Sequence, residues 1–391
     1  MRMKKPRNYL SDFVGVDLLR FFLSMSVLFP HYANFYYQFS WNIGPGLKQQ
    51  PFFKFLWPLY EEGGLAVQYF WLISGLIFQA VYFKEISNRQ ITFKRFATLR
   101  LSRLYPLHFA TLLIVALLQF AFFTVTGRYF LDEVNTLSNF VMQIFFIANW
   151  FPDRNYSFNV PIWSVSIEVL VYILFYLITL AGLTKGRSLY YIIVVSVFLR
   201  FFGILDPFHE CLLYFFSGCL LVQFINEGIP MQRLVFRYGV ASALLAIPAF
   251  FRYHYYANGY AFVEGFEFRL LLVPIASLTV LSFILAFRNL KSKRVIGHIR
   301  LLGNMTYSMY LVHFPIQIII LICLKPASYQ TFNSPMMLLF FIASVMVTGW
   351  VVFEYFEKPA QKYLRKWFIT EEESKQPEQE LQPPTNALET A

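Results

Sequence analysis

The chain has 391 residues, of which 57% are hydrophobic and 14% charged, and it contains 47 Phe, 25 Tyr and 7 Trp. This composition is far from that of soluble proteins and predicts a membrane protein with many spans. The formal net charge of +11 does not indicate a nucleic-acid partner, because the basic residues are concentrated in short loops between apolar segments. In that position they indicate orientation in a membrane.

The first apolar segment, at 14–33, follows the basic start MRMKKPRNYL and is predicted to be a retained signal-anchor helix, since it shows no small-residue cleavage site. It carries Asp17 and Arg20 near its start and His31 near its end. Arg20 and His31 are eleven residues apart, which puts them on one helix face about 16 Å apart. Pro30 is predicted to open the backbone beside His31.

Charged groups in a span usually face a cavity or a partner. The alternative for this helix is a snorkelling Arg20 and an interfacial His31 whose hydrogen bonds are satisfied.

Ten apolar runs are long enough to cross a membrane: 14–33, 65–83, 104–126, 162–183, 188–204, 209–226, 234–251, 269–287, 302–324 and 336–356. An eleventh run, 137–151, is short and polar. If it does not span, every basic loop lies on the cytoplasmic side, whereas a spanning segment would export the basic run 288–300. We therefore predict an all-α, polytopic integral membrane protein with about ten transmembrane helices, one re-entrant or interfacial segment and both termini cytoplasmic.

The predicted transmembrane domain covers 13–366. A cytoplasmic segment at 1–12 precedes it, and an acidic, Pro-rich tail at 367–391 follows it and is predicted to be disordered. The predicted outer loops at 34–64 and 252–268 are rich in aromatic and polar residues. Such surfaces suit a sugar or a lipid-linked sugar, although aromatic belts at a membrane interface have the same composition.

Two motifs occur within the second predicted span and just before the third. FWLISG at 70–75 puts Ser74 and Gly75 inside a membrane helix, where small residues permit either close helix packing or backbone approach to a ligand tunnel. In the basic stretch FKRFATLRLSRLYP, Arg100 and Arg103 are three residues apart, just before a helix predicted to begin near Leu104. The pair could bind phosphate bidentately or serve only as inner-face charge that contacts anionic lipid.

The segment VPIWSVSIEVLVY enters the next span with Trp163, Ser164 and Glu168. A carboxylate one to two turns inside a span predicts a functional role, such as orienting an imidazolium or exchanging a proton. Trp163 is predicted to be an interfacial anchor. We expect Glu168 to lie at a depth similar to that of His313, near His31.

In the segment TYSMYLVHFPI, Tyr307, Tyr310 and His313 share a helix face at three-residue spacing. They could line a site or act as polar contacts between helices. Glu354 and Glu357 close the last span and are predicted to pair with basic loops at a helix end.

Cys211, Cys219 and Cys323 lie in apolar runs and are predicted to be small core residues. The sequence contains no HExxH or CxxC pattern, so we expect no metal site.

Taken together and in this order, these elements resemble the acyltransferase family 3 membrane proteins over about residues 12–366. The family's first-helix signature, an Arg and a His separated by ten residues, corresponds to Arg20 and His31. FWLISG corresponds to its FFxxSG-like element, and Arg100 with Arg103 to its RxxR element. The later motifs of the resemblance are WS-x-x-x-E, here Trp163, Ser164 and Glu168, and SYxxYLxH, here TYSMYLVH.

The resemblance implies transfer of an acyl group, commonly acetyl from acetyl-CoA, from the cytoplasm to a hydroxyl of an outer acceptor, often a surface polysaccharide such as lipopolysaccharide. The implied location is a bacterial inner membrane. By this resemblance His31, Glu168 and His313 are the catalytic candidates.

The candidates for the acyl-CoA site are Arg20, Arg100, Arg103, Ser74 and Gly75. Those for the acceptor site are Asp17, Trp163, Ser164, Tyr307 and Tyr310. His31 could act as general base or as nucleophile.

The competing interpretation is a proton-coupled transporter or exporter of a sugar or small metabolite, in which the same His, Glu and Arg residues form a proton relay. It explains neither the RxxR pair in a cytoplasmic loop nor the lack of a visible inverted repeat.

Overall fold

The computed structural model describes residues 13–39, 44–132, 134–150, 156–227, 229–255, 266–325 and 328–368. It is 82% helical and contains no strand within these ranges, which confirms the predicted all-α class. The predicted cytoplasmic segment at 1–12, residues 256–265 of the second outer loop and residues 369–391 of the predicted tail lie outside the described residues.

Seventeen α-helices occur in the described part of the chain. The first nine are α1 (Val14–Tyr32), α2 (Asn34–Tyr37), α3 (Gly44–Leu47), α4 (Phe53–Glu62), α5 (Ala66–Val81), α6 (Phe83–Ser87), α7 (Phe93–Thr126), α8 (Leu137–Ile144) and α9 (Ile162–Leu180). The others are α10 (Ser188–Phe201), α11 (Phe208–Asn226), α12 (Met231–Tyr255), α13 (Phe266–Phe287), α14 (Lys293–Asn304), α15 (Thr306–Leu324), α16 (Pro335–Val352) and α17 (Lys358–Phe368).

Eight helical segments in these ranges are long and apolar enough to cross a membrane. They are Val14–Tyr37, Phe53–Val81, Phe93–Thr126, Ile162–Leu180, Phe208–Asn226, Arg269–Phe287, Thr306–Leu324 and Pro335–Phe368. The other two predicted spans, at 188–204 and 234–251, form α10 and α12, which are not among the eight. The multi-span architecture is therefore confirmed, while the count of ten stays a prediction.

Helix α7 begins earlier than the sequence predicts. Thr92 caps it by accepting a hydrogen bond from the backbone N–H of Arg95, and Gly127 ends it with φ of +75°. Its 34 residues measure about 51 Å, which exceeds a hydrocarbon core of about 30 Å. Arg100 and Arg103 therefore lie on a rigid helix, where their side-chain directions are fixed, and not in a loop before it.

The segment after α7 folds back onto it. Helix α8 has 8 residues, about 12 Å, and is too short to cross a membrane. His108 of α7 donates from Nε2 to the backbone oxygen of Gln143 over 2.7 Å, and Asn159 donates to Thr111 over 3.2 Å. The segment therefore packs against the interior of α7, as a re-entrant element would.

The last span continues as helix beyond its predicted end. A π-helical turn, Phe353–Glu357, joins α16 to α17, and α17 runs to Phe368, two residues into the predicted tail. A π-helical turn changes the direction of the side chains that follow it and is frequent at functional sites.

Helix α1 packs against many other helices, among them α4, α5, α13, α14 and α15. Two buried clusters of apolar side chains surround it. Cys211 and Cys219 are buried in this interior as predicted, whereas Cys323 is exposed, so the prediction for Cys323 is wrong.

The fold makes a prediction about the sidedness of the α7–α9 connection. In a Cys323→Ser background, single cysteines at Arg128 and at Tyr156 should react with a membrane-impermeant thiol reagent from the same side, because α8 cannot cross between them. A cysteine at Lys185, after the crossing by α9, is the control and should react from the opposite side. Labelling of positions 128 and 156 from opposite sides would rule out the re-entrant arrangement.

Candidate active site

Helices α1 and α15 run side by side and carry polar side chains at two depths. Near their starts, Arg20 donates from Nη2 to Oγ1 of Thr306 over 3.2 Å. Near their ends, the rings of His31 and His313 lie with centroids 4.6 Å apart. The two levels are separated by eleven residues on α1, or about 16 Å. We call the groups at these levels the arginine cluster (Arg20, Arg100, Arg103, Glu168 and Glu357) and the histidine cluster (His31, Asn34, His313 and Gln317).

Arg20 is the member of the arginine cluster that α1 contributes. Its Nη1 lies 3.6 Å from Oδ1 of Asp17, one turn earlier. Arg103 and Glu168 are both within electrostatic range of its guanidinium group. Gly303 packs against Asp17 so closely that a Cβ atom there would lie 2.5 Å from the Cβ of Asp17. The end of α14 thus holds the start of α1 in position.

The two arginines of α7 have different surroundings. The guanidinium carbon of Arg100 lies 4.3 Å from the ring centroid of Phe78 and 4.4 Å from that of Tyr82, in cation–π contact. Its Nε and Nη2 are buried and make no hydrogen bond within the described part of the chain. The charge of Arg103 acts instead on Asp17 and Glu357. The cluster therefore contains N–H donors that are available to an anionic ligand.

Glu168 belongs to the arginine cluster. Its Oε1 accepts a hydrogen bond of 2.7 Å from the hydroxyl of Tyr172, and Ser74 also hydrogen-bonds to it. The charges of Arg100 and Arg20 act on this carboxylate. The known contacts of Glu168 are therefore with the arginine cluster, while its predicted convergence with His31 and His313 stays a prediction. The rotation of α9 that sets these contacts cannot be read from the spacing within one helix.

The neighbours Ser74 and Gly75 point in different directions. Ser74 Oγ lies 3.1 Å from the hydroxyl of Tyr172 and so faces the arginine cluster. Gly75 faces α11, where a Cβ atom would lie only 1.8 Å from the backbone oxygen of Phe215. For Gly75 the structure therefore favours the alternative of close helix packing over approach to a ligand tunnel.

Glu357 belongs to the arginine cluster, although the sequence predicts that it pairs with basic loops at a helix end. It is 2% exposed, and one of its oxygens accepts a hydrogen bond of 2.5 Å from Ser308. Arg103 and Arg20 lie within electrostatic range of its carboxyl group. Glu354, by contrast, pairs with Lys358 over 2.7 Å. The π-helical turn directs Glu357 into the core while Glu354 pairs with Lys358, and no sequence pattern predicts this turn.

The histidine cluster is partly enclosed: His313 and Gln317 are fully buried, whereas His31 and Asn34 are half-buried. The ring of His313 lies beside the backbone carbonyls of Tyr310 and Met309, but neither ring nitrogen makes a hydrogen bond of good geometry within the described residues. Asn34 Nδ2 lies 3.4 Å from Nδ1 of His31 and donates to Oε1 of Gln317 over 3.2 Å. Gln317 in turn donates to the backbone oxygen of His31 over 2.6 Å.

Tyr310 connects the two levels. Its ring lies 5.9 Å from that of His313, and its hydroxyl is within electrostatic range of Glu168. The hydroxyl donates to the backbone oxygen of Pro161 over 2.6 Å and lies 2.9 Å from Oγ of Ser164. It therefore ties the start of α9 to α15 between the clusters.

The remaining candidates are more peripheral. The hydroxyl of Tyr307 donates to the backbone oxygen of Leu104 over 2.8 Å and lies within electrostatic range of Glu357. Trp163 packs edge-on against buried Trp71, with centroids 5.9 Å apart. Trp163 is thus an inter-helix contact in addition to any interfacial role.

This geometry divides the chemistry between the two levels. Three guanidinium groups from two helices can bind a phosphorylated ligand, and Glu168 and Glu357 lie within electrostatic range of them. The imidazoles can exchange a proton or act as a nucleophile. One helix, α1, contributes to both levels.

Comparisons with known proteins identify a family that matches most of the chain. The profile of a family described as an acyltransferase domain matches residues 13–355. A protein of Haemophilus influenzae described as uncharacterized is 24% identical over 142 residues, which cover 34% of this chain and 56% of that protein. The protein named acyltransferase MdmB, from Streptomyces mycarofaciens, is 26% identical over 159 residues, which cover 40% of this chain and 36% of that protein. The matches thus span about half of one relative and about a third of the other, and no solved structure matches the chain.

The contrast between Ser74 and Gly75 can be tested by a pair of substitutions. Gly75→Ala should lower the free energy of unfolding by about 1–3 kcal/mol, because its methyl group overlaps the backbone of Phe215. Ser74→Ala should lower it by only about 1 kcal/mol, the value of one hydrogen bond. Thermal unfolding of the detergent-solubilised protein measures both. Equal stability of the Gly75→Ala variant and the wild type would contradict the packing role of Gly75.

Proposed function

This chain belongs to the acyltransferase domain family, and we propose that it transfers an acyl group, most simply acetyl, from cytoplasmic acyl-CoA to a hydroxyl of an acceptor on the outer side. That the protein is a membrane acyltransferase follows from the family match and the spanning helices. The observation that supports transfer between two sides is that α1 contributes Arg20 to one cluster and His31 to another, about 16 Å away.

The donor end of the proposal uses the arginine cluster. Acyl-CoA carries several phosphate groups, and guanidinium groups bind phosphate through paired N–H donors. Arg100 has buried N–H groups without hydrogen-bond partners, and its charge is held by stacking on Phe78 and Tyr82. Arg20 and Arg103 add positive charge at the same level. Ser74 supports the site through Tyr172 and Glu168.

The transfer step uses the histidine cluster. In the general-base route, His31 removes the proton of the acceptor hydroxyl, the oxygen attacks the thioester carbonyl carbon, and the carbon–sulfur bond breaks. The CoA thiolate then takes the proton from the imidazolium and leaves as the thiol. In the nucleophilic route, a nitrogen of His31 takes the acyl group first, and the acceptor hydroxyl removes it in a second step. The thioester end of an extended donor must span about 16 Å from the arginines to reach His31 in either route.

A sugar hydroxyl of a surface polysaccharide, such as lipopolysaccharide, or of a lipid-linked sugar is the proposed acceptor. Support comes from the aromatic and polar residues of the loop at 34–64, whose described part lies beside the histidine end of α1. Gly63 packs against Ser26 and Pro30 there. Tyr310 and Ser164 border the same cluster and are proposed to contact the acceptor.

The proposed location is a bacterial inner membrane with both termini cytoplasmic, on the basis of the basic loops that the charge distribution assigns to one side. A transporter would use the same buried charges for a proton relay. The family match favours the enzyme.

The test is transfer of a radiolabelled acetyl group from acetyl-CoA to envelope glycans or lipids by the purified protein. His31→Ala should reduce transfer by at least about 100-fold, because a base contributes 10²–10⁴-fold, while acyl-CoA affinity stays unchanged. Arg100→Ala should weaken acyl-CoA binding by about 10- to 100-fold, the value of a charge-assisted hydrogen bond. Arg100→Lys should restore this binding only in part.

Lys94→Ala is the matched control, since Lys94 is an exposed cation on the same helix and its loss should leave acyl-CoA affinity unchanged. Unchanged acyl-CoA affinity in both Arg100→Ala and Arg103→Ala would show that these arginines do not bind the donor and act only as charges that set orientation in the membrane. Transfer at the wild-type rate by folded His31→Ala protein would refute the catalytic assignment of His31.

A further inference from the structure

The donors and acceptors of the histidine cluster can be assigned one after another, starting from a backbone carbonyl, which can only accept. Gln317 Nε2 lies 2.6 Å from the backbone oxygen of His31. A carbonyl oxygen only accepts, so the amide nitrogen of Gln317 must be the atom that faces it. The side-chain oxygen of Gln317 therefore points to its other neighbour, Asn34.

The orientation of Gln317 fixes that of Asn34. Oε1 of Gln317 lies 3.2 Å from Nδ2 of Asn34, which must donate, because an amide oxygen cannot. The same Nδ2 lies 3.4 Å from Nδ1 of His31. An amide nitrogen has two N–H groups and no available lone pair. The second N–H of Asn34 therefore requires an unprotonated Nδ1 on His31.

We propose that Gln317 and Asn34 form a relay that holds neutral His31 in the tautomer protonated on Nε2. They are positioning residues for the reaction, since they act through His31. The inference rests on the proposed function only in its catalytic consequence. The tautomer itself follows from the three hydrogen bonds.

The tautomer determines which ring nitrogen of His31 donates a hydrogen bond and which one accepts. Nε2 of resting His31 is a hydrogen-bond donor, and the lone pair on Nδ1 is occupied by Asn34. The ring of His313 lies 4.6 Å away by centroid, where its lone pair can accept a hydrogen bond from Nε2–H of His31. The lone pair on Nδ1 of His31 becomes available to act as base or nucleophile when the acceptor hydroxyl or the thioester displaces the 3.4 Å contact with Asn34. On this account His313 positions His31 and is more than a contact between helices.

One substitution should reverse the tautomer of His31. A carboxylate accepts hydrogen bonds and donates none when ionised. Asn34→Asp should therefore move the proton of neutral His31 to Nδ1 and leave Nε2 with the free lone pair. Asn333→Asp is the matched control, because it makes the same change at a residue that bonds to Tyr36 and Gln49, outside the cluster.

The measurement is ¹⁵N NMR of the full-length, histidine-labelled protein in nanodiscs without acyl-CoA. The chain has six histidines, and the signals of His31 are identified by their loss in His31→Gln. We expect an unprotonated Nδ1 and a protonated Nε2 in the wild type and in Asn333→Asp, and the reverse in Asn34→Asp. A protonated Nδ1 in the wild type, or an unchanged tautomer in folded Asn34→Asp, would overturn the proposal.

Gln317→Ala provides a second test if Asn34→Asp does not fold. Without Gln317 the amide of Asn34 can turn, so both tautomers of His31 should be populated. A single unchanged tautomer in this variant would refute the relay. In transfer assays, Asn34→Ala should lower kcat by about 10-fold or more, as loss of an orienting partner does, with KM for acyl-CoA unchanged. These outcomes are separate from the fate of the proposed function, because the tautomer is observed without turnover.

Discussion

The parallel packing of α1 against α15 is the constraint on which the rest of the site depends. Two cross-helix pairs fix it, Arg20 with Thr306 at one end and His31 with His313 at the other. At a rise of about 1.5 Å per residue, the two pairs are about 16 Å apart along α1 and about 10 Å apart along α15, and the long Arg20 side chain can bridge the difference. Every other functional side chain reaches one of these two levels from a neighbouring helix. The proposed donor, bound by the arginines and reacting at the histidines, would need such a fixed separation.

The contacts within the arginine cluster also explain why so many charged groups are tolerated in an apolar fold. An isolated charge near the centre of a membrane helix costs roughly 2.5–3.5 kcal/mol. Arg20 is balanced by Asp17 and Glu168, and Arg103 acts on Glu357, which is held by Ser308. Stacking on two aromatic rings holds Arg100. The cluster is therefore close to neutral while some of its N–H groups keep no partner, which suits a site that must accept an anion and release it.

Much of this architecture could be predicted from the sequence, because helix periodicity fixes which residues of one helix share a face. The shared face of Arg20 and His31 and the polar face of α15 were predictable for that reason. Rotations between helices were not, since lipid and protein both accept apolar side chains. The contacts of Glu168 with Ser74 and Tyr172 and its proximity to the arginines, for example, depend on the rotation of α9. Glu357 was missed because a π-helical turn redirects it into the core.

The central claim is that donor and acceptor are used on opposite sides of one protein. It is tested most directly in proteoliposomes of uniform orientation, with labelled acyl-CoA added to one side and an acceptor glycan enclosed on the other. The account predicts labelled glycan only when acyl-CoA is supplied to the face on which α7 exposes Arg100 and Arg103. If acyl-CoA and glycan supplied together on one face gave as much labelled glycan as the two supplied on opposite faces, the account would be contradicted. This holds for either face.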